Sequence, residues 1–296
     1  VTVLLRFIAA VAILFSVGQT LAQDSEEREG GIVGTGIVGV ITELGSIYIN
    51  GQKIEITNDL QVTGSVPGIA AGELKPGLTV AVVVRLEGDI WRAEHIRQVL
   101  PLVGPVEAVG DRMLTVLGTQ VDLGALPLNA TIGDWVAVSG LWKSERVSAS
   151  SIDLLPDWQG PAEVSGTYFR PATGQPDRVG RTEISGISPR HLSSGDFARI
   201  TGSPVPGGIE AERLESGVFD AQVGIVQVEG FYSEPKPDGL YTVLGSGLIA
   251  FTDRPGMIDV ASRTIQCGTD GKLGEFSSIT LSPEEIEAIR TKLDCL

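Results

Sequence analysis

The stretch Gly133-Asp134-Trp135-Val136-Ala137-Val138 decides the fold, because the chain writes it three times. Pro76-Gly77-Leu78-Thr79-Val80-Ala81-Val82 precedes it and Gly195-Asp196-Phe197-Ala198-Arg199-Ile200 follows it. In each copy a glycine opens a short run in which Val80 and Val82, Val136 and Val138, or Ala198 and Ile200 alternate with other residues. That is the period of a strand with one face on a core. Sixteen residues after each glycine comes an alanine, and three further on an aliphatic: Ala93 and Ile96, Ala149 and Ile152, Ala211 and Leu214. A fixed spacing kept three times marks an internal repeat, which has to be recognised before any motif is weighed.

Upstream of the glycines lies a second shared element. Ile47-Tyr48-Ile49-Asn50-Gly51 runs into Ile54 and Ile56, Leu114-Thr115-Val116-Leu117-Gly118 into Val121 and Leu123, and Tyr241-Thr242-Val243-Leu244-Gly245 into Leu248. Two β-rich runs around a glycine turn predict a hairpin. The second unit parses into strands near 103–108, 113–117, 120–123, 135–142 and 146–154. Five strands in so short a unit predict an all-β fold of tandem small five-stranded barrels of the OB type, with half of a sandwich as the competing architecture. Units this small are expected to lean on one another.

The chain then divides into a signal peptide (1–22), a flexible Gly- and Glu-rich linker (23–35), β modules at 36–101, 102–157 and 158–218, and a diverged fourth module at 219–296. The fourth keeps the hairpin but loses the glycine-to-alanine spacing. It also carries the one strongly written helix. Ser282 as N-cap, Pro283 at the first position and Glu285 three residues after the cap form a capping box, and Leu281 and Ile286 sit where a hydrophobic staple pairs them. Ile286, Ile289 and Leu293 form an apolar stripe, expected to pack on the last module.

Arg6, the apolar run Phe7 to Val17 and the small residues around Thr20-Leu21-Ala22 read as a secretory signal. The competing reading is a membrane anchor. It asks for about 20 apolar residues, and the run has 11. No cysteine follows to carry a lipid, so the mature part is expected to make no stable membrane insertion. Valine at position 1 reads as an alternative start codon, which points to a bacterial gene and a periplasmic or secreted product. The two cysteines, Cys267 and Cys295, read as a disulfide in such an oxidising compartment, against two free thiols or a redox pair without Cys-x-x-Cys spacing.

With 22 basic and 37 acidic residues, the net charge of −15 opposes binding to nucleic acid and to anionic lipid, since both depend on an excess of Lys and Arg. The repeated pattern, carried here by Gly104 to Val106, Thr115 to Gly118, Gly133 to Val138 and Ala149 to Ile152, resembles a bacterial domain of unknown function found in tandem in exported proteins. The resemblance covers residues 36–216 as modules. It implies an OB-like fold and brings no activity with it.

Chemical motifs are sparse. Gly34-Thr35-Gly36-Ile37-Val38-Gly39 matches the dinucleotide fingerprint, but the β-branched run after it predicts a strand where the fingerprint needs a helix, so no cofactor is expected. Ser233-Glu234-Pro235-Lys236 matches Ser-x-x-Lys, but its prolines make it a loop. His95 and His191 are isolated, which leaves no metal spacing and no Ser-His-Asp arrangement, and His95 is expected at the rim of the first module. The candidate ligand face is Trp135, Trp142 and Phe197, set against a role for the same rings in covering a barrel mouth or filling module interfaces. The expected function is a non-enzymatic exported scaffold that presents a binding surface to an envelope protein or glycan. The alternative is a hydrolase working through paired carboxylates.

Overall fold

The computed structural model describes residues 34–64, 66, 70–127, 130–171, 174–187, 190–269, 271–276 and 281–295. The expected signal peptide lies outside these residues. The first strand begins at Gly34, two residues inside the segment read as a linker, and Thr35 is already buried.

Barrel 1 comprises β1 (Gly34–Glu43), β2 (Ile47–Ile49), β3 (Gln52–Glu55), the short β4 (Val62–Thr63), β5 (Thr79–Glu87) and β6 (Ile90–Gln98). Barrel 2 comprises β7 (Leu102–Gly110), β8 (Met113–Val116), β9 (Thr119–Asp122), β10 (Trp135–Lys143) and β11 (Arg146–Leu154). Barrel 3 comprises β12 (Ala162–Phe169), β13 (Asp177–Val179), β14 (Thr182–Ser185), β15 (Phe197–Val205) and β16 (Gly208–Ser216). In barrel 2 the ring runs β7-β8-β9-β11-β10 and back to β7, antiparallel except for the parallel pair β9 and β11. Barrels 1 and 3 close through the same pairings, with β3 parallel to β6 and β14 parallel to β16. This is the five-stranded Greek-key ring of an OB-type barrel.

The repeat spacing has a mechanical origin. Gly77, Gly133 and Gly195 sit at φ 93, 94 and 110°, a left-handed region that side chains disfavour. Each donates its N–H back to the first strand, to the carbonyls of Ile41, Val106 and Tyr168. Seven residues later come Val84, Gly140 and Gly202, which pair with Ala93, Ala149 and Ala211 beside a β-bulge in each hairpin. A side chain at Gly140 or Gly202 would lie under 3 Å from the opposing carbonyl of Ser148 or Glu210. Gly202→Ala is therefore expected to cost about 1–3 kcal/mol, read as a shift in the denaturation midpoint, because backbone cannot retreat as a side-chain tip can.

The fourth unit is less divergent than its sequence. It comprises β17 (Val223–Gly230), β18 (Leu240–Thr242), β19 (Ile249–Phe251), β20 (Thr264–Thr269), β21 (Lys272–Leu273) and the helix α1 (Pro283–Leu293). The ring order is the same, with β19 parallel to β21, but β17 reaches β18 through a single bridge between Tyr232 and Val243. Register places Ala261 where the other units have the opening glycine. Gly268 takes the place of Gly140 and Gly202, and Leu273 that of the alanine. The hairpin between β20 and β21 is four residues shorter, which is why the spacing disappears from the sequence.

Strands expected to bury one face bury both. Val136 and Val138 point into the joint core of barrels 2 and 3, while Ala137 and Ser139 on the other face are also buried. The small outward residues let barrels approach closely. Thr79 Oγ1 of barrel 1 donates to Gly140 O (3.2 Å) and accepts from Gly140 N (2.9 Å). Thr119 and Thr182 join hydroxyls at 2.9 Å, and Glu107 accepts from the N–H groups of both Gly118 and Gly207. Arg97 of barrel 1 is buried between Asp220 (2.7 Å) and Glu215 (3.1 Å), and burial pushes its guanidinium pKa down despite the carboxylates. His95, at the edge of this cluster, lies 3.6 Å from Asp220.

The first and last units share one sheet, since β1 runs parallel to β17 with Ile37 opposite Gln227 and Val38 opposite Val228. Here the helix departs from expectation. Its capping box forms, with Glu285 N donating to Ser282 Oγ and Ser282 N donating to the Glu285 carboxylate, which lowers the Glu285 pKa. However, Ile289 and Leu293 join the core of barrel 1, among Ile37, Leu78 and Trp91, instead of packing only on the last unit. The disulfide Cys267–Cys295, with its Cα atoms 5.8 Å apart, fixes the end of the helix to β20 in the same core.

Candidate functional site

The candidate ligand face of Trp135, Trp142 and Phe197 does not form. Trp142 and Phe197 are each 5% exposed, and Trp135 is partly buried against the core of barrels 2 and 3. The reason lies in a glycine shared by the four first strands: Gly39, Gly104, Gly166 and Gly230. Two residues beyond each, Ile41, Val106, Tyr168 and Tyr232 pair with the second strand at Ile49, Val116, Val179 and Val243. Over Gly39 and Gly104 the next turn residue, Asn50 or Leu117, occupies the space that a side chain on the glycine would take. In barrel 3 that turn residue is Gly180, and Trp142 of barrel 2 fills the gap between Gly166 and Gly180. Its indole N–H donates to Ser165 O at 2.8 Å. Phe197 packs with Val38, Val226 and Val243 where barrels 1, 3 and 4 meet. Trp142 and Phe197 are keys between barrels and leave no face for a ligand, so the three rings do not make a common stacking surface.

A cleft of 390 Å³ opens instead where barrels 2, 3 and 4 converge. Barrel 2 contributes the tip of its β10–β11 hairpin, Ser144 at φ 56° and Glu145. Barrel 3 contributes Phe169 and Arg178, directly opposed in the β12–β13 register. Barrel 4 contributes Ser233, Glu234 and Lys236 from the β17–β18 loop, Tyr241 and Leu240 from β18, and Leu244 and Ile249 beyond. Arg178 bridges to Glu145 at 2.9 Å, tying barrel 3 to barrel 2 across the mouth. A second cleft, of 300 Å³, lies on the other side of the hairpin tip, lined by Asp122, Lys143, Arg146 and Tyr232, and shares Ser144 and Glu234 with the first.

Aromatic packing fixes the walls. Tyr241 meets Tyr232 edge to face, 5.4 Å between ring centres at 79°. Burial pushes the Tyr232 phenol pKa up. Lys143 lies over Phe231 at 4.9 Å, and the Arg170 guanidinium over Tyr168 at 5.6 Å. Burial raises the Tyr168 pKa, with Asp177 adding to it.

The Ser233–Lys236 stretch does reach the cleft, but as a turn. Ser233 Oγ accepts from Thr242 N at 3.1 Å, and Lys236 N donates to Leu240 O at 2.8 Å, so no helix sets the lysine beside the serine. The Gly34–Gly39 stretch is strand β1 throughout. Among the described residues no group of three or more His, Cys, Asp or Glu is placed to hold a metal ion, and no helix is long and apolar enough to cross a membrane. The cleft was not legible because its residues come from three units: Gly195 and the Tyr241–Leu244 hairpin belong to the repeat and Ser233–Lys236 to a stretch read as a loop, but nothing in those patterns brings them together. No protein-family model, no curated protein and no solved structure matches the chain.

Proposed function

We propose that this chain is an exported, non-enzymatic binding scaffold of the cell envelope, and that its ligand site is the cleft between barrels 2, 3 and 4. One observation carries the reading. OB-type barrels bind ligands with the loops joining strands 1–2 and 4–5, and here the β10–β11 turn of barrel 2, the β12–β13 end of barrel 3 and the β17–β18 loop of barrel 4 converge on a single cleft. The disulfide and the signal-like first 22 residues support an oxidising, exported location. The resemblance to tandem exported domains supports it further.

The hydrolase alternative has one observation in its favour, that Glu145 and Glu234 both line the cleft. A general acid, however, needs an apolar, buried setting to hold its proton. Glu145 is 47% exposed and ion-paired with Arg178, and Glu234 is exposed. The arrangement suits polar recognition better than proton transfer.

The test is a pull-down from envelope extract on immobilised residues 23–296, with a photo-crosslinker at position 240. Capture that is lost in the double variant Arg178→Ala, Lys236→Ala is the expected result. Retention of nothing, or wild-type turnover of an envelope polysaccharide abolished by Glu145→Gln, would sink the scaffold reading.

A further inference from the structure

The cleft can be assigned a ligand class, an assignment that rests on reading it as the binding site. We infer that it takes a neutral oligosaccharide of more than one unit carrying an apolar substituent of the N-acetyl kind.

Charge gives the first constraint. Arg178 and Lys236 are matched in the lining by Glu145 and Glu234. A polyanion gains nothing without an excess of cations, and a polycation nothing without an excess of carboxylates. Mixed donors and acceptors suit hydroxyl groups, each of which donates and accepts at once.

Backbone gives the second. An extended peptide would bind most simply by adding a strand to a free edge. Of the strands that border the cleft, β13 is paired on both sides, and β18 has no such edge either. Leu240 O accepts from Lys236 N and Thr242 O from Ser233 N, both at 2.8 Å, while Leu240 N donates to Asp238 Oδ1 and Thr242 N to Ser233 Oγ, both at 3.1 Å. The outward groups of this strand are already paired within the chain.

The walls give the third. Phe169 from barrel 3 and Tyr241 from barrel 4 are both half-buried and line the same cleft. Rings held in place offer their faces to the C–H side of a sugar at little entropic cost, and Tyr232 holds the Tyr241 ring before any ligand arrives. The half-buried Ile249 adds a hydrocarbon surface that a bare polyol would leave without a partner. An acetamido methyl meets that need. Length follows from the two clefts, 390 and 300 Å³, which share Ser144 and Glu234 around the hairpin tip.

The experiment is calorimetric titration of residues 23–296 with the β-1,4-linked N-acetylglucosamine tetramer, with cellotetraose as its unacetylated match and a proline-rich decapeptide as the peptide arm. The acetylated tetramer is expected to bind at least tenfold more tightly than cellotetraose. Phe169→Ala and Tyr241→Ala are each expected to lower its affinity tenfold or more, while Tyr241→Phe retains binding. If a ring variant fails to fold, Arg178→Ala carries the test, because its side chain is 43% exposed, and a loss of at least fivefold is expected. Equal affinity for the two sugars, no binding of either, or binding that these variants leave unchanged overturns the assignment. The decapeptide, or a protein captured from extract, bound through the same residues would overturn the sugar and leave the cleft standing as a binding site. Empty results in both the titration and the pull-down would remove the binding reading itself.

Discussion

Replacing Cys267 and Cys295 with serine is expected to lower stability by about 3–4 kcal/mol and to open barrel 1 first. The magnitude follows from loop closure, because a bridge across 28 residues of sequence removes that much conformational freedom from the unfolded chain. The location follows from packing. Cys295 ends the helix whose Ile289 and Leu293 sit in the core of barrel 1, and the Leu293 carbonyl accepts from Gln227 Nε2 of β17 at 2.5 Å. Without the bridge, the helix is held by two apolar side chains, a partly buried Ile286, the Gln227 hydrogen bond, the contact of Arg290 with the Phe276 ring and ion pairs such as Lys292 with Asp89. Such surface pairs are each worth under about 1 kcal/mol. For a chain of this size the melting temperature should fall by roughly 6 °C. Amide exchange should accelerate across β1 to β6 before it does across β7 to β16. Uniform acceleration, or a loss below about 1 kcal/mol, would show that the helix does not hold the core of the first barrel.

Trp142→Ala is expected to have an effect of similar size at the opposite seam, about 3–5 kcal/mol. The indole fills a gap whose two facing walls are glycines, Gly166 and Gly180, and neither has a side chain to move into the space. Removing it also leaves the Ser165 carbonyl without the indole N–H. Trp142→Phe separates these contributions, since it keeps most of the ring and loses only that hydrogen bond, a change of about 1 kcal/mol. Chemical denaturation of the three proteins gives the comparison. Equal losses for Ala and Phe would mean that the hydrogen bond, and not the filled volume, joins barrels 2 and 3.

These two sites show what could be read from the residues and what could not. The tandem barrels were legible because Gly133 and Ala149 are fixed by one hairpin. The glycine adopts a conformation other residues avoid, and the alanine pairs beside the bulge. The pairing of Cys267 with Cys295 and the Ser282 cap were legible for the same reason, that each depends on local chemistry. For Trp142 the residues left two readings, a ligand face or a filled module interface; the structure shows the second, and the residues alone did not decide because the cavity belongs to the next unit and is walled by glycines, Gly166 and Gly180. The fourth module was legible from its hairpin but read as diverged, because the loss of four hairpin residues breaks the spacing, although Gly268 keeps its place opposite Leu273. Alternation in β10 pointed to one buried face, and only the small residues Ala137 and Ser139 carried the sign of a second. The cleft is the extreme case, since nothing in Phe169, Arg178 or Tyr241 taken singly marks them as neighbours.

The parallel pairing of β1 with β17 bears on how the molecule is made. Gly36 meets Val226 across some 190 residues of chain, whereas barrels 2 and 3 each close within about 60. A chain delivered from its N-terminus completes its second and third units while the first still waits for its neighbour strand and its helix. Until β17 arrives, the edge of β1 that β5 does not cover, from Gly34 to Val38, stays unpaired, the kind of surface that invites association with other chains. The final segment therefore acts late, as a clasp, and the interval before it engages is when the newly delivered protein is most in need of protection.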